Sequence, residues 1–207
     1  MSALYYCRQT TTACKGIPYP SKTHPYRYGT SGCVYTSGCG MCVSLMALRN
    51  STTRVFNTRQ WTHRCLGMGA RAAEGTDMAV VARYMKEKYG LDYAVTTDMD
   101  RLLAHLKQGY KAIINVSGGG KMLFSNSGHY VLAAGIDKNG NLIILDPYWY
   151  DGKFTLTAAR RKYTRVKNGR EVYVRPADLK GDVLSMWLFT PKRDVRLAYS
   201  VNDMHYR

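Results

Sequence analysis

The sequence predicts an α+β domain, on three observations. Helical apolar spacing dominates up to residue 109. Segments rich in β-branched and aromatic residues, punctuated by Gly and Asn-Gly turns, dominate after it. A chain of 207 residues with no repeat and no Pro/Ser-rich linker has room for one substantial core, so a single domain spanning 1–207 is expected. Composition agrees: 45% hydrophobic and 21% charged residues mark an ordinary globular chain and exclude disorder and collagen. The longest apolar runs, such as 130–134, and shorter ones such as 142–145 fall far short of the ~20 residues a membrane helix needs.

Residues 1–35 mix Gly, Thr, Pro and Tyr without sustained periodicity and read as an irregular arm wrapped on the core. Order begins near Cys39. Cys42, Val43, Leu45, Met46 and Ala47 make the helix over 40–49 apolar nearly all round, which predicts burial. Thr76 or Asp77 can cap a second helix, whose Val80, Val81, Tyr84 and Met85 form one face ending before Gly90. A third starts at Thr97 or Asp98, keeps helical spacing through Met99, Leu102, Leu103 and Leu106, and stops by Gly109.

After that the period changes. Strands are expected over 110–116 and 129–136, separated by the triple glycine 118–120. Asp137-Lys138-Asn139-Gly140 is a strong turn signal, returning the chain through 141–145 with Ile136 opposite Asn141. A hairpin around Asn168-Gly169 and a last strand at 185–189 complete the β half.

The formal charge of +16 calls for an anionic partner, and nucleic acid, anionic lipid or a polyanionic cell wall would each serve. Much of it lies in the basic β-hairpin region 153–175, where Lys153, Arg160, Arg161, Lys162, Arg165, Lys167, Arg170 and Arg175 face the single acid Glu171. This stretch is either a solvated face or a docking patch for an anionic polymer centred on Arg160, Arg161 and Lys162, with no part in bond cleavage.

Six cysteines, Cys7, Cys14, Cys33, Cys39, Cys42 and Cys65, admit three explanations. Disulfides suit an exported chain, but no export signal opens this one, and synthesis in a cytoplasm is expected. Zinc needs two ligand pairs, and only Cys39-x-x-Cys42 has tight spacing; no metal or cofactor is expected. The third explanation makes one cysteine a nucleophile and the others small buried residues.

Cys39 is the candidate. Gly38 and Gly40 permit a tight turn and leave room for a substrate backbone, and the start of a buried helix lowers a thiol pKa and supplies amides for an oxyanion. A structural cysteine in a Gly-rich turn is the alternative. His129 opens one strand of the Asp137–Gly140 hairpin and Asp146 ends the other, so the register puts a base beside an orienting carboxylate.

Ser-Gly-Cys-Gly at 37–40, Gly-His-Tyr-Val-Leu at 128–132 and Ile-Leu-Asp-Pro-Tyr at 144–148 resemble the papain-like cysteine peptidases related to bacteriocin-processing, double-glycine leader peptidases. The resemblance covers about 30–148. It implies a papain-like fold, with N-terminal helices packed on an antiparallel sheet, Cys39 as nucleophile, His129 as general base and acid, and Asp146 as orienter. Many such peptidases place an oxyanion-donating glutamine about six residues before the nucleophile. Here that region reads Cys33-Val34-Tyr35-Thr36, and Gln9 is remote in sequence. The donors are then the Cys39 amide with a Thr36 or Ser37 hydroxyl, or the oxyanion hole is degraded.

Strongly basic, stand-alone members of this type resemble phage or prophage endolysins, which are released from the host cytoplasm onto the wall. That implies an endopeptidase or amidase acting on peptidoglycan peptides and docking on anionic cell-wall polymers. Two other classes stay open: a processing peptidase for a protein or leader peptide, and a catalytically silent papain-like module that binds nucleic acid through 153–175.

Overall fold

The computed structural model describes residues 4–21 and 32–192. The parts of the arm at 1–3 and 22–31, and the end of the chain from 193, lie outside the described residues. Within the arm, short helices α1 (Thr12–Lys15) and α2 (Val34–Ser37) flank a bridge between Pro18 and Cys33.

Helix α3 (Cys39–Arg49) is buried along Gly40–Leu48, as its all-round apolar sequence predicts. Helix α4 (Thr58–Gly67) has no counterpart in the sequence expectations. Its apolar contacts come from Trp61 and Cys65 among Arg, His and Gln, too sparse for a clear period, although Asn57 and Gln60 form a capping box at its start. Helix α5 (Met78–Tyr89) is capped by the Asp77 carboxylate and ended by Gly90 at φ 64°. Strand β1 (Leu91–Thr96) follows, and Asp98 caps α6 (Met99–Lys107).

Strands β2 (Lys111–Val116), β3 (His129–Ile136) and β4 (Leu142–Leu145) form the middle of the sheet. After a 3₁₀ turn at Lys153–Thr155 come α7 (Ala158–Tyr163), β5 (Thr164–Lys167), β6 (Glu171–Val174), α8 (Pro176–Leu179) and β7 (Val183–Pro191). All pairs are antiparallel, in the order β1-β7-β2-β3-β4-β6-β5. On one face, α3, α4 and α5 pack against Ile113, Leu132, Leu145 and Phe189. On the other, α6 joins Trp149, Phe154 and Leu179 over Ile114, Val131 and Ile144. The sheet therefore lies between two apolar layers and is stiff at its centre, where β3 runs.

The β3–β4 hairpin fixes the site. Its turn is held by the Asp137 carboxylate, which accepts the Asn139 and Asn141 amides, and by Gly140 at φ 79°. Ile136 pairs with Leu142, one residue beyond the expected Asn141. A bulge between Ala133 and Gly135 then shifts the ladder, so that Ala133 faces Ile144 and Leu132 faces Leu145. The predicted register thus holds at the end where His129 and Asp146 stand.

The basic stretch 153–175 is not one hairpin. Asn168 (φ 49°) and Gly169 (φ 78°) turn β5 into β6, while Arg160, Arg161 and Lys162 belong to α7. Arg160 is only 7% exposed, its guanidinium donating to the Met122 and Lys153 carbonyls at 3.3 and 3.2 Å. Lys153 is 2% exposed. Both are removed from the expected docking patch, because their charges point into the fold. Arg161, Lys162, Arg165, Lys167 and Arg170 remain exposed.

Candidate active site

Cys39 is the first residue of α3, and close backbone packing puts it there. A Cβ on Gly38 would stand 2.5 Å from the Val34 carbonyl oxygen; one on Gly40 would stand 2.7 Å from the Thr76 Cβ and 3.1 Å from the Tyr130 ring. The two glycines therefore let α2, α3 and β3 approach one another, where the sequence suggested room for a substrate. Cys39 stays partly exposed, on an open cleft of about 390 Å³ that it shares with His129, Tyr148, Gln9, Thr36 and Ser37.

His129 opens β3, and its Nε2–H donates to Asp146 Oδ1 at 2.8 Å, which leaves Nδ1 for the Cys39 thiol. The Tyr148 ring stands edge-on to the imidazole at 6.4 Å and closes it off on one side. Asp146 is wholly buried. It accepts the Tyr148 amide on Oδ1 at 2.9 Å and the Lys153 ammonium on Oδ2 at 2.6 Å.

The arm braces this end of the sheet: Tyr6 donates its hydroxyl to the Asp146 carbonyl, the Gln9 amide donates to Pro147 at 2.8 Å, and Thr10 donates to Trp149.

The electrostatics favour a charged pair. Burial opposes ionisation of Cys39, but the hydrogen bond and charge of His129, with the Tyr130 and Gly40 amides, outweigh it and pull the thiol below its ordinary range. Burial likewise opposes the imidazolium, and Asp146 and Cys39 outweigh it, raising His129 to about 9. Asp146 is pulled below the carboxylate range because His129 and Lys153 together overcome its burial. A lowered thiol and a raised imidazole both favour the thiolate–imidazolium form of the pair. A raised histidine pKa also has a sign in stability: the contribution is complete below the unfolded value of about 6.5 and is lost as pH rises through about 9.

A search of the curated proteins finds no match to this chain. The Peptidase_C39 like family matches residues 14–172. The chain belongs to that family. Among solved structures, a C39-like peptidase from Bacillus anthracis aligns with a TM-score of 0.51 at 10% identity, covering 93% of this chain and 98% of that one. The peptidase domain of Streptococcus ComA, a bi-functional ABC transporter involved in a quorum sensing pathway, aligns at 14% identity with a TM-score of 0.49, covering 74% and 91%. The Bacillus likeness is one of fold. It agrees with the papain-like arrangement of helices on an antiparallel sheet.

Within this cleft two residues escape sequence reasoning. Gln9 is 2% exposed, and its Nε2 donates to the Tyr35 carbonyl at 2.9 Å, just ahead of α3. Only the tertiary fold brings it there from far upstream; its one signal is the apolar Tyr5-Tyr6-Cys7 that anchors the arm. Lys153 is the other, hidden because a lysine inside a basic run counts as surface; its flanking Phe154 is the hint. Of the expected oxyanion hydroxyls, Thr36 and Ser37 both line the cleft, and Thr36 donates to the Cys33 carbonyl at 3.1 Å.

All six cysteines are free thiols, and Cys42 lies a turn deeper than Cys39, against Cys7. Among the described residues no group of His, Cys, Asp and Glu is arranged to hold a metal, and no helix is long and apolar enough to cross a membrane. A larger groove of about 840 Å³, beside Arg49, Arg54, Lys111 and Tyr173, is lined by no cysteine or histidine.

Proposed function

We propose that this C39-like protein cleaves peptide bonds through Cys39, His129 and Asp146, with peptidoglycan peptides as the substrate. The observation that carries the reading is the Asp146-backed imidazole set against a cysteine at the mouth of an open cleft. The Cys39 thiolate attacks the scissile carbonyl carbon, and the oxygen becomes an oxyanion. His129 gives its Nδ1 proton to the leaving amine as the C–N bond breaks, leaving a thioester on Cys39. Water then loses a proton to His129 and attacks the thioester, which releases a carboxylic acid and restores the thiolate. Asp146 holds the ring and stabilises its charged form throughout.

Gln9 is the oxyanion donor in this scheme. A carboxamide nitrogen has two N–H groups; one serves the Tyr35 carbonyl and the second serves the oxyanion, with the Cys39 amide. Gln9→Ala is expected to lower kcat about 10²–10³-fold while changing KM little, read from steady-state cleavage of a fluorogenic peptide. A loss below about threefold would return the role to Thr36 or Ser37.

The peptidoglycan assignment rests on the +16 charge and on the exposed Arg161, Lys162, Arg165, Lys167 and Arg170, which suit a wall carrying anionic polymers. Mass spectrometry of muropeptides released from purified walls by wild type and Cys39→Ala tests it. Release by wild type alone is expected and identifies the bond. Cleavage of free peptides without release from walls would make this a processing peptidase. Salt-sensitive DNA binding without any turnover would make it a silent nucleic-acid module.

A further inference from the structure

Cys39, His129 and Asp146 carry the proposed hydrolysis, yet the polar chain that runs through them continues into a fourth, buried side chain. The last, Lys153, stands on a 3₁₀ turn after Gly152, whose φ of 78° swings the chain back toward Asp146. Its ammonium donates to Asp146 Oδ2 at 2.6 Å and to the Tyr148 carbonyl at 2.9 Å, with its side chain 2% exposed. Burial draws its pKa below the ordinary lysine value, against the pull of Asp146.

The Tyr148, Tyr150 and Phe154 rings surround the ammonium at 5.3, 6.0 and 5.6 Å. The charged and titratable groups around it are Asp146, Tyr148 and Tyr150 after β4, Arg160 from α7, His129 beyond Asp146 on β3, and Cys39 on α3. Desolvating an ammonium is costly, and an apolar side chain of similar volume would pack here without that cost. Its placement on the carboxylate oxygen that His129 does not use points to a task beyond filling space.

We propose that Lys153 is a positioning residue of the active site: it clamps the Asp146 carboxylate toward His129 and offsets part of its negative charge, setting how tightly the imidazolium is held. This rests on the Cys39, His129 and Asp146 reading. Two carboxylate oxygens split between two cations fix the carboxylate plane, so the ring cannot swing from the thiol. With part of its field balanced by Lys153, Asp146 stabilises the imidazolium enough to form the pair, while His129 can still release its proton to the leaving amine.

The test is the pH dependence of kcat/KM on a small neutral peptide, with the pH dependence of Cys39 alkylation measured in parallel. Lys153→Met removes the charge and leaves His129 as the only cation on Asp146. Both limbs should move to higher pH by about 1 unit, because the imidazolium is held harder and the thiolate loses a nearby cation. kcat should fall about 10-fold as proton return slows. Lys153→Arg keeps the charge and should restore the wild-type limbs. Should Lys153→Met fail to fold, Lys153→Gln, which can still donate to Asp146, must show the same shift. Limbs unchanged in a folded uncharged variant, whatever its kcat, would overturn the proposal and leave Lys153 a structural ion-pair partner. Failure of the three-residue reading looks different: Cys39→Ala would keep turnover, and wild-type alkylation would show no thiolate at Cys39 below the ordinary thiol range.

Discussion

Replacing His129 by alanine is expected to abolish peptide turnover, lowering kcat at least about 10⁴-fold. Two effects coincide in that one change. Burial of Cys39 is then opposed only by the Tyr130 and Gly40 amides, since the imidazole is the largest influence lowering its pKa, and the thiol pKa rises. The leaving amine also loses its proton donor. Because the two residues act as one unit, Cys39→Ala combined with His129→Ala should be no worse than either alone. Single-turnover cleavage of a fluorogenic peptide measures this, and near-normal turnover in His129→Ala would show that another base serves Cys39.

The largest effect on stability is expected at Asp146. Its carboxylate is wholly buried and satisfies His129, Lys153 and the Tyr148 amide, so Asp146→Ala leaves the Lys153 ammonium buried and unpaired. Breaking such a pair from one side costs about 3–5 kcal/mol, whereas replacing both partners costs far less. Urea denaturation should show that loss in Asp146→Ala and recovery of most of it in Asp146→Ala with Lys153→Met. The Lys86–Asp92 bridge has a similar 2.8 Å contact, but both side chains are about half exposed, and its removal should hardly register. A small loss in Asp146→Ala would mean that water reaches Lys153.

Where local physics decides, the sequence is legible. Asp77, Gly90 and Asp98 bound their helices as capping chemistry requires, and α3 is buried because no polar face interrupts it. The turn at Asp137–Gly140 fixes the hairpin that joins His129 to Asp146, and the bulge after Ala133 absorbs the one-residue offset at its far end. Helix α4 and strand β1 are not legible: Trp61 and Cys65 alone carry the inner face of one, and the other is an edge strand whose residues are mostly half-buried or exposed.

The site divides in the same way. Cys39, His129 and Asp146 sit where strands and helices begin or end, which pattern reveals. Gln9, Lys153 and Arg160 take their places from tertiary packing: Gln9 comes from far upstream, and charge counting treats the two buried cations as surface ones.

The most direct measurement is the rate at which iodoacetamide labels each cysteine of the folded protein between pH 5 and 9, read by peptide mapping. Cys39 should react first, at a rate that stays high well below the pH at which a free thiol ionises, and His129→Ala should remove that advantage. Equal labelling of Cys7, Cys14, Cys33, Cys39, Cys42 and Cys65, or a Cys39 rate unaffected by His129→Ala, would contradict a thiolate held by the imidazole at the start of α3.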